Sequence, residues 1–396
     1  MKIKRASYEG VAVAVPITIP YVRYSIHGAH WWVGRALAEL CKKSKIKKEE
    51  IDGLCASSFT LAPDAAVGLT QHLGLTVRWL DHVPLGGGSA VVSLRRAARA
   101  VQAGDANIVA CIAGDANHVE SFRLNTSNFS MFARDAVYAY GSGGTYASFA
   151  FLTAYYMRTF GAKREDFGKL CIDQRTNALK NPHALFKKPL SMDEYMNARP
   201  LATPVHLFDC VMPCAGAEAF IVMREDDAKA RGLPYTKLLS ATERLNAFPQ
   251  DPIQMRGGWE MDVDELYGMA GLTPKDMDFF QGYDDYPVIN FMQMEDLGFC
   301  KKGEAKDYVQ SNTFTYDGST PFNTCGGQLS VGQAGAAGGH LGLVETIRQL
   351  TGDVLGGQVK DAEVGVVTGF GMINYDRGLC SAAAILATGK RMGAKA

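Results

Sequence analysis

Gly86-Gly87-Gly88-Ser89 begins a pattern that the chain repeats in its second half from Gly335-Ala336-Ala337-Gly338-Gly339. In both copies the glycine-rich turn precedes an amphipathic segment typical of a helix, at residues 90–101 and 341–350. The start of such a helix presents unpaired N–H groups and a positive dipole end. The two turns therefore indicate two sites suited to anionic or thiolate chemistry.

Each predicted helix ends near a Gly-Asp pair and leads to an apolar run, at residues 108–112 and 364–367. These runs are typical of buried strands. A glycine turn, a helix, a short stop and a strand thus occur twice in the same order. This repetition predicts two similar β/α halves that pack on each other.

Composition restricts the class of protein. The 396 residues are 47% hydrophobic and 21% charged, and 41 basic residues balance 41 acidic ones. This balance gives no support for binding to nucleic acid or to a membrane surface. No apolar run approaches the ~18–20 residues that span a bilayer, and the N-terminus does not read as a signal peptide, so we expect a cytoplasmic protein. The nine cysteines form no CxxC pair, which argues against disulfides and structural zinc in this chain.

Strands alternate with helices along most of the chain, which predicts a mostly parallel sheet with helices on its faces. The alternation lapses in the aromatic-rich stretch 118–200. We predict a long, partly helical insertion there, as a lid or a small subdomain. The predicted N-terminal half, with this insertion, is residues 1–224, and the C-terminal half is residues 225–396.

Three further segments of polar and glycine residues are candidates for a functional role. Gln281-Gly282-Tyr283-Asp284-Asp285-Tyr286 lies between an apolar strand and a predicted helix. The segment from Asn323 to Gln333 leads into the second glycine turn, and Thr368-Gly369-Phe370-Gly371-Met372 closes a strand. Ligands of α/β proteins usually bind at the carboxyl ends of strands. These segments are therefore the candidate site.

In this order the segments resemble the thiolase superfamily over nearly the whole chain, most strongly the branch related to the thiolase part of sterol carrier proteins. Tyr283-Asp284 lies where thiolases carry Asn-Glu-Ala-Phe. Asn323 to Gly332 is similar to the approach to their Gly-His-Pro loop, and Gly369–Gly371 to the last loop, where many hold a catalytic cysteine. The resemblance implies an α/β, duplicated thiolase fold with two βαβαβαββ-type halves in αβαβα layers.

The chain departs from this pattern at the groups that perform the chemistry. A thiolase nucleophile is a cysteine at the start of the first glycine-turn helix, where the dipole lowers its pKa. That place falls at Gly87 or Gly88, and no cysteine lies between Cys55 and Cys111. Gln333 replaces the histidine of Gly-His-Pro. An acyl-enzyme on the usual cysteine is therefore excluded.

The remaining groups suggest roles. Cleavage of a carbon–carbon bond beside a thioester needs hydrogen-bond donors for the developing enolate oxygen. Gln333 and backbone N–H groups near Gly371 are candidate donors. Tyr283 is a candidate oxyanion donor or general acid, with Asp284 beside it. The predicted substrate-binding residues share a place in the matched loops and are Gly87, Gly88, Ser89, Asn323 and Gly371.

The nucleophile stays open at this point. Coenzyme A itself could attack the keto group over the glycine floor. A relocated thiol is the alternative, with Cys325 the best placed and Cys380 next. His340, at the start of the second predicted helix, could polarise a reacting group.

The resemblance implies coenzyme A-dependent thiolysis of a β-ketoacyl-CoA. Within its branch the chain is similar to the large subunits of the benzoylsuccinyl-CoA thiolases of anaerobic toluene degradation. Their substrate, 2-benzoylsuccinyl-CoA, would give benzoyl-CoA and succinyl-CoA. Two alternatives are an aldolase-type lyase that cleaves a β-hydroxyacyl-CoA and a non-catalytic acyl-CoA-binding subunit. The resemblance also implies a homodimeric core and a small zinc-ribbon and OB-fold partner, with zinc in that partner and no cofactor in this chain.

Overall fold

The computed structural model describes residues 5–62, 64–117, 122, 135, 139, 144–375 and 377–391. The strands in chain order are β1 (Val11–Val22), β2 (Gly53–Ser57), β3 (Trp79–His82), β4 (Ile108–Ala116), β5 (Pro200–Ala202), β6 (Val205–His206), β7 (Ala215–Arg224), β8 (Tyr235–Leu245), β9 (Phe279–Gln281), β10 (Val364–Asn374) and β11 (Arg377–Thr388). The helices are α1 (Ala29–Ser44), α2 (Ala66–Leu73), α3 (Ser89–Ala103), α4 (Thr145–Phe160), α5 (Arg164–Ala178), α6 (Met192–Met196), α7 (Glu225–Ala230), α8 (Gly258–Ala270), α9 (Pro287–Asp296), α10 (Ala305–Ser311), α11 (Gly327–Val331) and α12 (Ala336–Thr351).

In the described part of the chain, nine strands form one sheet in the order β3-β2-β4-β7-β1-β8-β11-β10-β9. The pairs β2–β3, β2–β4 and β9–β10 are parallel, whereas the other five pairs are antiparallel. The prediction of a mostly parallel sheet is therefore wrong. The reason is that β7 runs antiparallel to the preceding strand β4, and β11 runs antiparallel to the preceding strand β10.

The predicted duplication is visible in the strand order. Outward from the central β1–β8 pair, one half runs β1, β7, β4, β2, β3 and the other runs β8, β11, β10, β9. From the central pair outward to β2 in one half and to β9 in the other, corresponding strands pair in the same direction, parallel or antiparallel. The first half has the predicted βαβαβαββ order. Among the described residues, the second half has no counterpart of β3.

The two repeated glycine-turn helices, α3 and α12, form the middle layer, because each contacts strands of both halves. On β7 the side chains alternate with period two. Phe220 and Val222 pack toward α3 and α12, while Ala219 and Ile221 pack toward α1 on the outer face. Helix α8 covers β8 and β11 on the other outer face. This order of layers is the αβαβα arrangement that the resemblance implies.

The predicted insertion is only partly within the described residues. Most of 118–143 lies outside them, and the rest contains α4 and α5, as the expected partly helical character requires. Helix α4 contacts α9 and β10, and α5 contacts α9, α10 and α11. No described helix is long and apolar enough to cross a membrane. The half boundary at 224/225 stays a prediction.

Candidate functional site

A cleft with an empty volume of about 660 Å³ lies where the loop after β9 meets the first glycine turn and β10. Aromatic and aliphatic side chains form most of its walls, and its polar part includes Tyr283, Asp285 and Gln333 together with Asn117 and Thr145. Its described lining residues are Phe59, Gly86, Gly87, Asn117, Phe122, Thr145, Phe149, Val211, Tyr283, Asp285, Tyr286, Gln333, Phe370, Gly371, Met372 and Ile373. The loop after the parallel strand β9 thus supplies Tyr283 and Asp285, as expected for this class of sheet, and the segment between α11 and α12 supplies Gln333.

Asp285 is the centre of the polar part. The Tyr283 hydroxyl donates to Asp285 Oδ2 at 2.7 Å, and Gln333 Nε2 donates to Asp285 Oδ1 at 2.5 Å. Gln333 Nε2 also lies 3.5 Å from the Tyr283 oxygen. One carboxyl therefore joins two of the residues that the sequence predicted as catalytic.

The cleft tunes the acidity of this carboxyl. Asp285 faces the cleft, but it is shielded from bulk water, and this desolvation raises the pKa of its carboxyl to about 7. Burial also raises the pKa of the Tyr283 phenol well above its usual value, with the negative charge of Asp285 adding to the effect. A carboxyl that titrates near neutrality is suited to exchange protons with a substrate.

The main chain of Tyr283 is held by two buried side chains. Its N–H donates to Gln293 Oε1 at 3.1 Å and to Thr368 Oγ1 at 3.0 Å, and its carbonyl accepts from Gln293 Nε2 at 2.7 Å. Gln293 lies on α9 and Thr368 on β10. Two separate elements therefore fix the direction of the Tyr283 ring.

That ring occupies the space beside the first glycine turn. A Cβ at Gly87 would lie 1.9 Å from Tyr283 Cε2 and 2.3 Å from the Phe370 carbonyl oxygen. A Cβ at Gly371 would lie 1.9 Å from the Leu85 carbonyl oxygen. The glycines thus allow the turn, the Tyr283 ring and β10 to approach closely. The floor leaves no room for a side chain where the resemblance places a cysteine.

Asp284 points away from the cleft. Its carboxyl accepts from the backbone N–H groups of Gln328 at 2.8 Å and Leu329 at 3.2 Å, at the start of α11. Burial raises the pKa of the Asp284 carboxyl to about 7. Asp284 therefore connects two loops, and Asp285, which sequence reasoning passed over, faces the reacting space.

Cys325 and Asn323 line a second, smaller enclosed space with Asp284. Burial raises the pKa of the Cys325 thiol well above its usual value. Cys380 packs against the turn, since a Cβ at Gly88 would lie 2.7 Å from its sulfur, and burial raises the pKa of this thiol to about 12. No cysteine is among the described residues that line the cleft.

Ser89 and His340 are engaged elsewhere. The Ser89 hydroxyl donates to the Val83 carbonyl at 2.8 Å and accepts from the Leu85 N–H at 3.1 Å. The His340 ring is fully buried in α12 with Nδ1 3.3 Å from the Ala336 carbonyl, and burial lowers its pKa to about 4. The structure thus brings Tyr283, Gln333, Gly87 and Gly371 together, while these two predicted residues do not line the cleft.

The N-terminus of α12, which would suit an anion, already binds a carboxylate of the protein itself. The N–H of Ala336 donates to Asp115 Oδ2 at 2.7 Å, and Asp115 comes from β4 of the other half. Among the described lining residues of the cleft none is Lys, Arg or His. No group of three or more His, Cys, Asp or Glu that could hold a metal occurs in the described residues.

Sequence reasoning missed Asp285 and Tyr286, although both stand in the segment that it selected. Tyr286 stacks on Phe149 at 4.1 Å between ring centroids, and its hydroxyl lies 3.2 Å from Thr145 Oγ1. The sequence signal that could have identified both residues is the run of two acidic residues between two tyrosines. Which acid faces the cleft depends on the turn after β9, which the sequence pattern does not specify.

Comparison with known proteins gives similar relatives. Residues 251–386 match a family model described as thiolase C-terminal domain-like. The chain is 30% identical over 325 residues to a steroid side-chain-cleaving aldolase of Thermomonospora curvata, covering 78% of this chain and 81% of that protein. It is 29% identical over 337 residues to 17-hydroxy-3-oxo-4-pregnene-20-carboxyl-CoA lyase of Mycobacterium tuberculosis, covering 80% and 85%.

A benzoylsuccinyl-CoA thiolase subunit, BbsB of Thauera aromatica, is 28% identical over 208 residues, covering 52% of this chain and 54% of that protein. Among solved structures, the Ltp2-ChsH2(DUF35) aldolase has a TM-score of 0.83 at 24% identity, covering 97% of this chain and 99% of that one. An SCP2-thiolase-like protein of Mycobacterium smegmatis has a TM-score of 0.72 at 13% identity, covering 99% and 80%. These structural likenesses confirm the predicted fold.

Proposed function

The chain belongs to the sterol-carrier-protein-type branch of the thiolase superfamily, and from this premise we propose that it is a carbon–carbon lyase acting on coenzyme A thioesters. Its substrate would be a β-hydroxyacyl-CoA, cleaved by a retro-aldol reaction. The observation that carries this proposal is the Asp285 carboxyl, hydrogen-bonded to Tyr283 and Gln333 in a cleft without a thiol among its described lining residues.

The reaction needs a base, an oxyanion donor and an acid, and the cluster supplies all three. Asp285 takes the proton of the β-hydroxyl group, directly or through the Tyr283 phenol. As the β-carbon becomes a carbonyl, the Cα–Cβ bond breaks and its electron pair moves into the thioester as an enolate. Gln333 Nε2 donates to the enolate oxygen.

The proton held by Asp285 then returns through Tyr283 to the α-carbon of the enolate. The products are a ketone or aldehyde and a shortened acyl-CoA, and Asp285 is again ionised. No acyl-enzyme forms and no free coenzyme A is consumed. The missing cysteine is consistent with such a reaction, because the position at Gly87 is filled by the Tyr283 ring.

Thiolysis of 2-benzoylsuccinyl-CoA, the main sequence-based expectation, has less support. The two relatives with the higher identity and coverage are named an aldolase and a lyase. That substrate also carries a free carboxylate, whereas the described lining offers no cation and places Asp285 in the cleft. Like charges in a shielded space repel strongly. The lyase alternative is therefore the better supported one.

We also propose a partner subunit. One solved structure of the same fold, the Ltp2-ChsH2(DUF35) aldolase, is named for two components, and the benzoylsuccinyl-CoA thiolase relative is named as a subunit. Both names support a heteromer, and we propose that its second component is the small zinc-ribbon and OB-fold protein that the resemblance implies. Zinc would then belong to that partner, and a thiolase-type homodimer would form the core of the assembly.

The test is a pair of incubations with the protein and any subunit that copurifies with it. One contains a β-hydroxyacyl-CoA with an apolar β-substituent, and the other contains the matching β-ketoacyl-CoA, each with and without free coenzyme A. We expect a carbonyl product from the first substrate without added coenzyme A. Cleavage of only the β-ketoacyl-CoA, dependent on coenzyme A, would establish thiolysis instead. Binding of both without cleavage would establish the non-catalytic alternative.

A further inference from the structure

A second, smaller space borders the acid–base cluster from another side. Of the residues that line the cleft, only Tyr283 also lines this space. Asp284, Asn323 and Gln328 contribute polar side chains to it, and each of the three is 2% exposed. Buried polar side chains therefore form part of its lining.

Two of these side chains have polar atoms without a partner among the described residues. They are the donor Asn323 Nδ2 and the acceptor Gln328 Oε1. A buried polar atom that forms no hydrogen bond costs free energy, so native proteins usually satisfy it with protein or with an internal water. One buried unpaired donor and one buried unpaired acceptor that line the same space match the chemistry of a water molecule.

Two glycines around the space lie close to these groups. A Cβ at Gly327 would lie 2.1 Å from Asp284 Oδ2 and 2.9 Å from Asn323 Nδ2. A Cβ at Gly338 would lie 2.2 Å from Gln328 Oε1. A side chain at either glycine would enter the space that the three polar groups face. The two glycines therefore keep this space open.

We propose that the space is a binding site for an internal water, which accepts from Asn323 Nδ2, donates to Gln328 Oε1 and the Asp284 carboxylate, and holds Asp284 ionised beside the acid–base cluster. Its role in the reaction rests on the function proposed above. Asp284 is then a positioning residue, because it acts on the substrate only through its neighbour Asp285.

The electrostatic consequence follows from the groups that face Asp284. They are Asp285 and Tyr283 in its own loop, Cys171 of α5, and Cys325 before α11. Burial raises the pKa of each of these two thiols well above the usual value for a cysteine, so both thiols remain neutral. The remaining charge is that of Asp285. Desolvation raises the pKa of the Asp285 carboxyl. The repulsion between the two carboxylates is mutual, so an ionised Asp284 disfavours ionisation of Asp285 further.

The test combines crystallography with pH profiles on the complete protein and any partner. Asn323→Gly removes the donor and tolerates the left-handed φ of +44° at this position. Gln328→Met removes the acceptor at similar volume. The control is Asn290→Leu, which removes another buried amide that does not line this space.

We expect density for a water within hydrogen-bonding distance of Asn323 Nδ2, Gln328 Oε1 and Asp284 in the wild-type protein, and its loss in both variants. Without the water Asp284 protonates more easily, so Asp285 ionises more easily. The acidic limb of the kcat/KM profile should therefore move to lower pH by about half a unit in both variants and not in the control.

Wild-type crystals without this density at a resolution that shows ordered waters would overturn the site. A water that is present, together with an acidic limb that does not move in either variant, would overturn its role beside the cluster. The density is read without any activity measurement. Its presence is thus decided even if the protein does not cleave a β-hydroxyacyl-CoA.

Discussion

Gly87 is surrounded by groups that cannot move aside. It does not have the left-handed φ that its neighbour Gly86 has at +55°, so its backbone would accept an alanine. The Cβ of that alanine would meet the Tyr283 ring and the Phe370 carbonyl. Both are fixed, the ring by the hydrogen bonds of its main chain and the carbonyl by β10.

We expect Gly87→Ala to lower the free energy of unfolding by about 1–3 kcal/mol, the usual cost of overpacking, and to displace the Tyr283 ring. The displacement should reduce kcat/KM by ~10²-fold or more, because a positioned acid–base group is lost. Denaturant titration and steady-state kinetics measure the two effects. The control is Gly68→Ala in α2, where a Cβ meets no atom within 4 Å, and it should leave both values close to wild type. Wild-type behaviour of Gly87→Ala would contradict the packing described here.

Asp285 gives the reaction its expected pH dependence. Its pKa is raised to about 7 by desolvation, and a base must be ionised. We expect kcat/KM to rise with pH up to about pH 7 and then to level off. Asp285→Asn should reduce kcat/KM by ~10²–10⁴-fold and abolish this limb. A variant that keeps the limb and the rate would show that another group is the base.

Cys325 is a predicted site residue that we expect to be chemically inert, in contrast to Asp285. Its thiol is 3% exposed and lies outside the cleft, and burial raises its pKa well above the usual value. A thiol of this kind is a poor nucleophile. We expect Cys325→Ala to keep kcat within about twofold of wild type, since no chemical step passes through it. A loss comparable to that of Asp285→Asn would restore the relocated-thiol hypothesis.

The sequence placed Tyr283 at the site because its segment follows a predicted strand, and Gln333 because its segment resembles the Gly-His-Pro loop of thiolases. It could not assign the acid, because Asp284 and Asp285 are adjacent and only the turn after β9 decides which one faces the cleft. The hydrogen bond that the Ser89 hydroxyl donates to the Val83 carbonyl could not be predicted from the sequence either. Both depend on the local path of the backbone, which residue type and spacing do not determine.

At the scale of elements, Asp115 joins β4 of one half to α12 of the other. Its carboxyl accepts from Ala336 N at 2.7 Å, Thr60 N at 2.8 Å and Ser58 Oγ at 2.7 Å. The carboxyl is fully buried and lies at the positive end of the α12 dipole. It thus holds the helix that follows the Gln333 loop.

Removing this carboxyl leaves several buried donors without an acceptor. We expect Asp115→Ala to lower the free energy of unfolding by about 2–4 kcal/mol, measured by denaturant titration. The control is Asp226→Ala, whose side chain is 96% exposed and whose loss should change stability by about 0.5 kcal/mol or less. An Asp115→Ala protein as stable as this control would show that water replaces the carboxyl at the helix start.

The element order could be predicted because the relevant signals are local. Each glycine turn precedes a helix with one apolar face, and each helix precedes a buried strand, as α3–β4 and α12–β10 show. The antiparallel return of β7 and β11 was not predicted. Its physical cause is long-range pairing, which the composition of a strand buried on both faces does not reveal.

At the scale of the whole molecule, the two halves share one middle layer. Helix α12 belongs to the second half, yet it contacts β1, β4 and β7 of the first half. Helix α3 belongs to the first half and contacts β8, β10 and β11 of the second. Among the described strands, the two halves pair only where β1 meets β8. The apolar surfaces of these two helices therefore join the halves in the middle layer, in addition to the packing of α4 and α5 on the second half.

This sharing predicts that the boundary at 224/225 separates repeats and not independently folding domains. Residues 225–396 expressed alone would expose the side of α12 that packs on β1, β4 and β7, so we expect no cooperative thermal transition from this fragment. Coexpression with residues 1–224 supplies the missing surface and should restore a cooperative transition and the site, since Gly87 and Tyr283 come from different fragments. Calorimetry on each fragment and on the coexpressed pair measures this. A cooperative transition in residues 225–396 alone would show that its own strands and outer helices suffice for a stable core.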